Sequence, residues 1–578
     1  MNPISSYKPE SRLLLAISLA GTLGVAAAAD RNPKIAADLD QSDPTGTRNV
    51  IIQYKNAPSR EELKHLAARA RMSRHFENTN AALATVPAGD LEGLAASPNV
   101  LSINPDRKVT GTGYNGHPDY GWMAVTGIAS PSGALAYDGT GVGVAILDSG
   151  LDPISDLSYI VYRQNFVAGD ASTATSDGWG HGTHVAGIVA GNGSLSTCSD
   201  CFYRVRGIAP KAKLIALRVL DDTGAGTDSA VIAAINQAIT LKATYNIRVM
   251  NLSLGRPVFG SYTTDPLCQA VEKAWKAGIV VVVAAGNEGR NNTFGNGGYG
   301  TITAPGNDPY VITVGALNTQ GTATRSSAKI ASYSSKGPSL FDHVVKPDLV
   351  APGNGILSNR AYFVGLESLY PTNIVPTTAY SATSFEPDYM QLSGTSMAAP
   401  MVSGAAALLI QQNAKLTPDQ VKAKLMKTAS KAFPTSSTAS DPVTGVTYTS
   451  YYDIFTIGAG YLDVAAALAN GDTLSGNALS PIAVYDPKAG TGSLQFATGC
   501  GLGGSTVVWG TTVVWGTTLV WGTSVVWGTT VVWGTSVVWG TSTGSTSGFN
   551  AVWGNNALWG SSSTPASEAV GIAVNGER

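Results

Sequence analysis

Four runs of this chain are apolar almost throughout: Gly141–Leu147, Ala212–Leu220, Val249–Leu254 and Ile279–Ala285. A strand with one wet face alternates polar and apolar residues. These runs do not, so they predict strands buried on both faces, as in a parallel sheet covered above and below. Parallel neighbours need long crossovers, and helical patterns lie between the runs. One small-residue helix opens near His181, two others cover Asp228–Ala243 and Thr264–Lys276, and a fourth spans Met397–Gln412. The predicted fold class is α/β, a parallel sheet with helices on both faces. Such sheets place their chemistry at the carboxyl ends of the strands.

Chemistry-bearing residues sit at those places. Asp148 ends the first run before Ser149-Gly150, and Asn287 follows Ile279–Ala285 in Val283-Ala284-Ala285-Gly286-Asn287-Glu288-Gly289. His181 lies in Gly180-His181-Gly182-Thr183-His184-Val185-Ala186-Gly187, and Ser396 in Ser393-Gly394-Thr395-Ser396-Met397-Ala398-Ala399-Pro400. A helix N-terminus carries partial positive charge and free N–H groups, so a serine there can be a nucleophile whose own amide helps hold an oxyanion. Each block has a plainer reading. Asp148 could cap a loop and Ser396 a helix. His181 and His184 could be a metal pair, but the H-E-x-x-H pattern is absent. Together they run in the order Asp…His…Ser, which separates one triad fold from two others. The G-x-S-x-G elbow of α/β-hydrolases fails at Ala398, which argues against an esterase or lipase.

On these four motifs the chain resembles the subtilisin-like serine proteases over roughly residues 115–470. The resemblance implies that His181 is the general base toward Ser396, that Asp148 orients the imidazole, and that Asn287 with the Ser396 amide binds the oxyanion. It implies that Ser253-Leu254-Gly255 pairs with substrate backbone. Ala284, Ala285, Gly286 and Thr303 would wall the pocket for the residue before the cut. Small apolar walls predict a preference there for apolar or aromatic residues, with Thr303 shortening the pocket. No cofactor is required for this chemistry. Structural calcium, common in the family, stays open, because Asn192–Arg206 replaces a loop that commonly binds it; Asp156 sits where a partner ligand would be. No metal ligand set is assigned.

The flanks read as those of a secreted zymogen. Lys8 and Arg12 precede an apolar run from Leu13 to Ala26 and then Ala27-Ala28-Ala29, a signal-peptide pattern. Residues 48–109 read as a small α+β, ferredoxin-like domain: a strand at Val50–Tyr54, a helix from the Ser59 capping box to about Ser73, a strand at Ala81–Val86, a short helix at Asp90–Ala96 and a strand at Val100–Ile103. By resemblance this is an inhibitory propeptide whose C-terminal end lies in the active-site cleft, with the cut between Val109 and Gly116. The organisation expected is signal peptide 1–29, linker 30–47, propeptide 48–109, catalytic domain 110–470, linker 471–504, repeat tail 505–560 and a C-terminal extension 561–578. Partners would be protein or peptide substrates and the chain's own propeptide; the net charge of −2 gives no reason to expect nucleic acid. The location expected is extracellular or at the cell surface.

Cys198 and Cys201 are spaced for a local disulfide, Cys268 reads as a buried thiol on a helix, and a Cys268–Cys500 bridge is the remaining pairing to test. Gly353–Leu392 reads as an insertion near the cleft. In the tail, Trp509, Trp515, Trp521, Trp527, Trp533 and Trp539 recur every six residues, and no charge falls between Lys488 and Glu568. Short strands, a hexapeptide solenoid and a low-complexity extension all fit. Binding to a surface or polysaccharide, self-association, or dispensability stay open for it. The competing function is a secreted adhesion protein with an inactive protease-like body.

Overall fold

The computed structural model describes residues 32–111 and 136–502, apart from short internal stretches, and the backbone of Leu519–Trp521 and Val532–Trp533. The expected signal peptide, Cys198, most of the expected cut window, most of the repeat tail and the C-terminal extension lie outside the described residues. The chain divides into two compact units, one ending at Pro105 and one that takes in Phe76–Thr79 and runs on from Asp106.

The first unit is a sheet of four strands in the order Arg71–Phe76, Ala81–Pro87, Thr47–Tyr54, Val100–Pro105. The central strand is antiparallel to both neighbours. Ser59 caps the helix Arg60–Arg69, and the reciprocal Glu62 contact completes the capping box. The helix is shorter than the sequence suggested: it stops at Arg69, and Arg71–Phe76 is an edge strand. That strand, Arg-Met-Ser-Arg-His-Phe, is mostly exposed and charged, so it carries none of the alternation that marks a half-buried strand. The expected linker also contributes to this unit, since Ile35 and Leu39 are buried in its core beside Val50, Ile52 and Leu91.

The second unit is built on an eight-stranded sheet. From one edge the order is Lys329–Ile330, Ile312–Asn318, Val280–Ala284, Ile247–Leu252, Gly143–Asp148, Lys213–Arg218 and Ile160–Asn165, with Leu349–Pro352 also paired to Ile312–Asn318. All these pairings are parallel except that of Lys329–Ile330. Every residue of Gly143–Asp148, Val280–Ala284 and Ile312–Asn318 is buried, as the continuous apolar runs require. Helices His181–Ala190 and Thr395–Gln412 pack on each other, as do Asp228–Tyr245 and Pro266–Lys276. From Gly143–Asp148 the chain first builds toward one edge, then crosses to Ile247–Leu252 and builds toward the other. The switch point thus lies between those two strands, the place where open α/β sheets form their binding crevice at the carboxyl ends. Asp148 ends one and Ser253 follows the other.

Beyond the expected catalytic domain, Ile482–Asp486 and Thr491–Gln495 form a hairpin inside the segment read as a linker. Ser480 donates to Asp348 and Val345 N donates to Pro481 O, so this segment packs on the second unit. In the tail, Val520 and Trp521 pair in parallel with Val532 and Trp533, an offset of two six-residue repeats.

Candidate active site

The strand Gly143–Asp148 delivers Asp148 to the switch point, and the helix His181–Ala190 begins at His181 after Gly180 in the left-handed region (φ 97°). Asp148 Oδ1 lies 2.7 Å from His181 Nδ1, with both side chains essentially fully buried. Ser149 N also donates to Asp148 Oδ1 at 2.8 Å, so the carboxylate is fixed from its own turn. Gly182 permits the close approach: a Cβ there would stand 2.1 Å from Gly150 O.

A carboxylate that the sequence reading passed over organises this corner. Asp177 Oδ1 accepts from Ser149 Oγ and Gly180 N, each at 2.7 Å, and Oδ2 accepts from Thr183 N at 2.7 Å. Ser149 Oγ in turn accepts from Gly182 N at 3.0 Å. The first turn of the His181 helix therefore hangs from one buried carboxylate, which satisfies N–H groups that a helix start leaves orphaned. Burial pushes the Asp177 carboxyl up to about 6 against the pull of those donors. The signal was present in Asp177-Gly178-Trp179-Gly180-His181, a carboxylate at capping distance from the helix.

Ser396 stands in the first turn of Thr395–Gln412 and is wholly buried. Its Oγ donates to Ser253 O at 3.0 Å, and Ser253 Oγ donates to Ser396 O at 2.7 Å. Asn251 Nδ2 donates to Ser253 Oγ at 2.9 Å and Asn251 Oδ1 accepts from Ser403 Oγ at 2.8 Å. This ladder pins the end of Ile247–Leu252 to the serine's helix. Asn287 Oδ1 accepts from Thr395 N at 2.9 Å and Thr395 Oγ1 at 3.0 Å. Its Nδ2 is buried and has no partner among the described residues. The amide is clamped by its oxygen, beside the serine, with its donor end free.

The expected substrate strand is occupied. Lys108–Gly111 runs antiparallel to Leu254–Gly255, with Gly111 opposite Leu254 and Thr110 opposite Gly255. On its other side it pairs antiparallel with Ala225–Thr227. Gly286 (φ +104°) and Gly255 both face Thr303: a Cβ at Gly286 would stand 2.7 Å from Thr303 Cγ2, and one at Gly255 would stand 2.5 Å from Thr303 Oγ1. Thr303 N donates to Ala285 O at 3.1 Å. The structure thus brings Gly255, Ala285, Gly286 and Thr303 together, while Ala284 is the buried end of its strand.

His184 belongs to no metal pair. Its Nε2 lies 3.1 Å from Ile356 O and from Met390 O, and burial, with His181 close by, holds its pKa down to about 3. Nor do the residues fit the calcium ion that the resemblance leaves open. Asp156 Oδ1 accepts from Ser194 Oγ and Leu195 N, both at 2.9 Å. Asp156 Oδ2 accepts from Asn359 Nδ2 at 2.8 Å and Tyr389 OH at 3.0 Å. A carboxylate offers about four acceptor directions, and protein N–H and O–H groups take all of them. Among the described residues no group of three or more His, Cys, Asp or Glu converges as a metal site would. The Cys268–Cys500 pairing does not form, since neither cysteine takes part in a disulfide. Cys268 is buried on its helix with Sγ 3.3 Å from Asn307 Oδ1, and burial pushes its pKa up.

Comparison with known proteins gives the family. The model of the subtilase family matches residues 139–447, more than half of the chain. Serine protease AprX of Bacillus subtilis (strain 168) is 40% identical over 294 residues, covering 49% of this chain and 60% of that protein. Subtilisin DY of Bacillus licheniformis is 37% identical over 297 residues, covering 51% of this chain and 86% of that protein. Among solved structures, fervidolysin from Fervidobacterium pennivorans, described as a keratinolytic enzyme related to subtilisin, superposes with a TM-score of 0.57. At 22% identity, over 79% of this chain and 66% of that one, the likeness is one of fold. With the Asp148–His181 pair, the Ser396 helix start and the Asn287 amide at one switch point, the chain belongs to the subtilase family of subtilisin-like serine proteases.

Proposed function

We propose that the chain is a secreted serine endopeptidase made as a self-processing zymogen, cutting peptide bonds through an acyl-enzyme on Ser396. His181 takes the Ser396 proton as Oγ attacks the scissile carbonyl and returns it to the leaving amine. Asp148, 2.7 Å from Nδ1, fixes the tautomer and stabilises the imidazolium. The oxyanion forms against Asn287 Nδ2 and the Ser396 amide. The observation that carries this reading is the free Asn287 donor. Leaving a buried donor unpaired costs about 1–3 kcal/mol, a penalty that an adhesion module has no reason to keep beside a serine.

The pairing of Lys108–Gly111 with Leu254–Gly255 and Ala225–Thr227 supports the zymogen part, because it is the main-chain recognition a substrate would use. The cut then falls just beyond Gly111, and the residues before it are the C-terminal end of the propeptide. Thr303 wedged between Gly255 and Gly286 supports a short apolar pocket before the cut. A local Cys198–Cys201 disulfide is supported by the C-x-x-C spacing and by Cys268 and Cys500 taking part in no disulfide. The leader pattern of residues 1–29 supports export, and the row of tryptophans a tail that binds a surface, a polysaccharide or its own copies.

The test is mass spectrometry of the purified protein after treatment with a fluorophosphonate. An adduct on Ser396, with a new N-terminus shortly after Gly111, is expected. The Ser396→Ala protein should stay uncut and lose about 10⁶ in kcat, the loss typical of a subtilisin nucleophile. A processed, folded chain that takes no adduct would overturn the proposal.

A further inference from the structure

Arg107 is 7% exposed, unusual for an arginine one residue before an exchangeable strand. Its guanidinium lies over the ring of Phe259, 5.2 Å from the centroid, and 4.0 Å from Asp228 Oδ2. Its carbonyl accepts from Asp228 N at 2.6 Å. Beside it, Asp106 is held by Ser229, whose amide donates to Oδ1 at 2.7 Å and whose hydroxyl donates to Oδ2.

Charge counting shows what this place requires. Arg256 Nε bonds Asp228 Oδ1 and Oδ2 at 2.9 and 3.1 Å, and its Nη2 bonds Asp265 Oδ1 and Oδ2 at 2.9 and 2.7 Å. All three side chains are buried. Two carboxylates against one guanidinium leave one negative charge uncompensated, and Arg107 supplies the balancing cation. Asp342, which accepts from Ser261 Oγ and Tyr262 N, is a further carboxylate close enough to feel the charge of Asp265. When Lys108–Gly111 and the residues before it leave, a net negative cluster remains behind an aromatic face. That combination attracts a cation by charge and by the ring quadrupole together.

We propose that Phe259 and the Asp228–Arg256–Asp265 cluster form a distal subsite that takes an arginine or lysine side chain of protein substrates, three residues N-terminal to the residue paired with Gly255. This rests on the reading of Lys108–Gly111 as occupant of the substrate strand. It adds to that reading a selectivity for basic residues far from the cut, in an enzyme whose pocket beside the cut is small and apolar. Arg107 is the subsite's resident ligand in the zymogen.

The test uses the processed enzyme and internally quenched peptides that copy residues 104–115, with Arg, Lys, Ala or Glu at the position of Arg107. The Arg peptide is expected to exceed the Ala peptide about tenfold in kcat/KM, the size of a desolvated cation–aromatic contact added to a charge pair. Lys should lie between them and Glu lowest, and the ratio should shrink as salt rises. In Phe259→Ala the Arg-to-Ala ratio should fall to about threefold, the part left to charge. Equal kcat/KM for the Arg and Ala peptides, or an unchanged ratio in Phe259→Ala, overturns the subsite while leaving the protease intact. If no peptide is cut and Ser396 takes no fluorophosphonate, the protease reading itself fails, and the subsite with it.

Discussion

Replacing Asp177 by asparagine should separate positioning from stability in this active site. The carboxylate accepts three hydrogen bonds, from Ser149 Oγ, Gly180 N and Thr183 N. An asparagine of the same shape presents one oxygen and one NH2, so whichever way it turns, a backbone N–H of the His181 helix start faces a donor. Losing a bond to a charged acceptor and leaving that N–H unpaired costs about 2–5 kcal/mol. Against this stands the burial of the charge. The folded carboxyl titrates at about 6, some two units above an unfolded aspartate, so the ionised form costs about 3 kcal/mol at neutral pH. The asparagine is spared that cost, and the two terms offset to within about 2 kcal/mol. The rate has no such compensation, because the unpaired N–H belongs to the turn that carries His181. A shift of ~1 Å there costs up to about 100-fold. The expected variant therefore melts near wild type, measured with Ser396→Ala in both proteins to prevent autolysis, yet loses about 10–100-fold in kcat with KM little changed. The pH dependence has a definite sign. A carboxyl whose folded pKa is raised contributes stability that is present below about pH 4 and lost as pH rises through about 6. That part of the slope should vanish in Asp177→Asn. A variant with wild-type kcat would refute the positioning role, and a stability loss well beyond about 2 kcal/mol would refute the offset.

Two further outcomes follow from neighbouring contacts. Asn287→Ala should lower kcat about 10²–10³, the range known for a subtilisin oxyanion donor, with KM unchanged; a rise in KM at constant kcat would mean that the amide binds ground-state substrate instead. Chelation should leave the melting temperature of the processed enzyme unchanged, because Asp156 is saturated by Ser194, Leu195, Asn359 and Tyr389; a drop of several degrees in excess EDTA, reversed by calcium, would show a cation holding the fold.

The proposed catalytic residues could be named from the sequence because each lies in a short motif with a local geometry of its own. Asp148 ends an apolar strand, His181 opens a helix between glycines, and Ser396 lies in a helix's first turn. Local chain chemistry specifies all three, so the sequence carried them. What it did not carry are the contacts that close over distance. Asn251 meets Ser403 across 152 positions, Asp156 meets Tyr389 across 233, and neither pair has a local pattern to announce it. Asn192–Arg206 could be recognised as a departure from a calcium loop, yet its replacement could not be read. The donors on Asp156 come partly from Asn359 and Tyr389, which face each other across the hairpin of Ile356–Asn359 and Tyr389–Leu392, inside the segment Gly353–Leu392. Two of the four hydrogen bonds on Asp156 thus come from that distant hairpin and two from Ser194 and Leu195.

The segment crossing the active site poses the sharpest form of this problem. Lys108-Val109-Thr110-Gly111 has too little alternation to fix its own register, and a slip of one residue would exchange its two faces. A different residue must therefore decide which peptide bond meets Ser396. Arg107 is placed to do so, since its side chain is held by Phe259 and the buried acidic cluster while its carbonyl accepts from Asp228 N. Slipping the strand by one residue would draw that guanidinium away from a cluster with one uncompensated charge. On this argument the cut is located by a cation upstream of the strand more than by the residues beside the bond. Arg107→Ala in the zymogen should then give a ragged mature N-terminus, with cuts spread over neighbouring bonds, where the unsubstituted chain should give one. N-terminal sequencing of the two processed proteins reads the difference directly, and a single identical terminus in both would show that the register is set within Lys108–Gly111 after all.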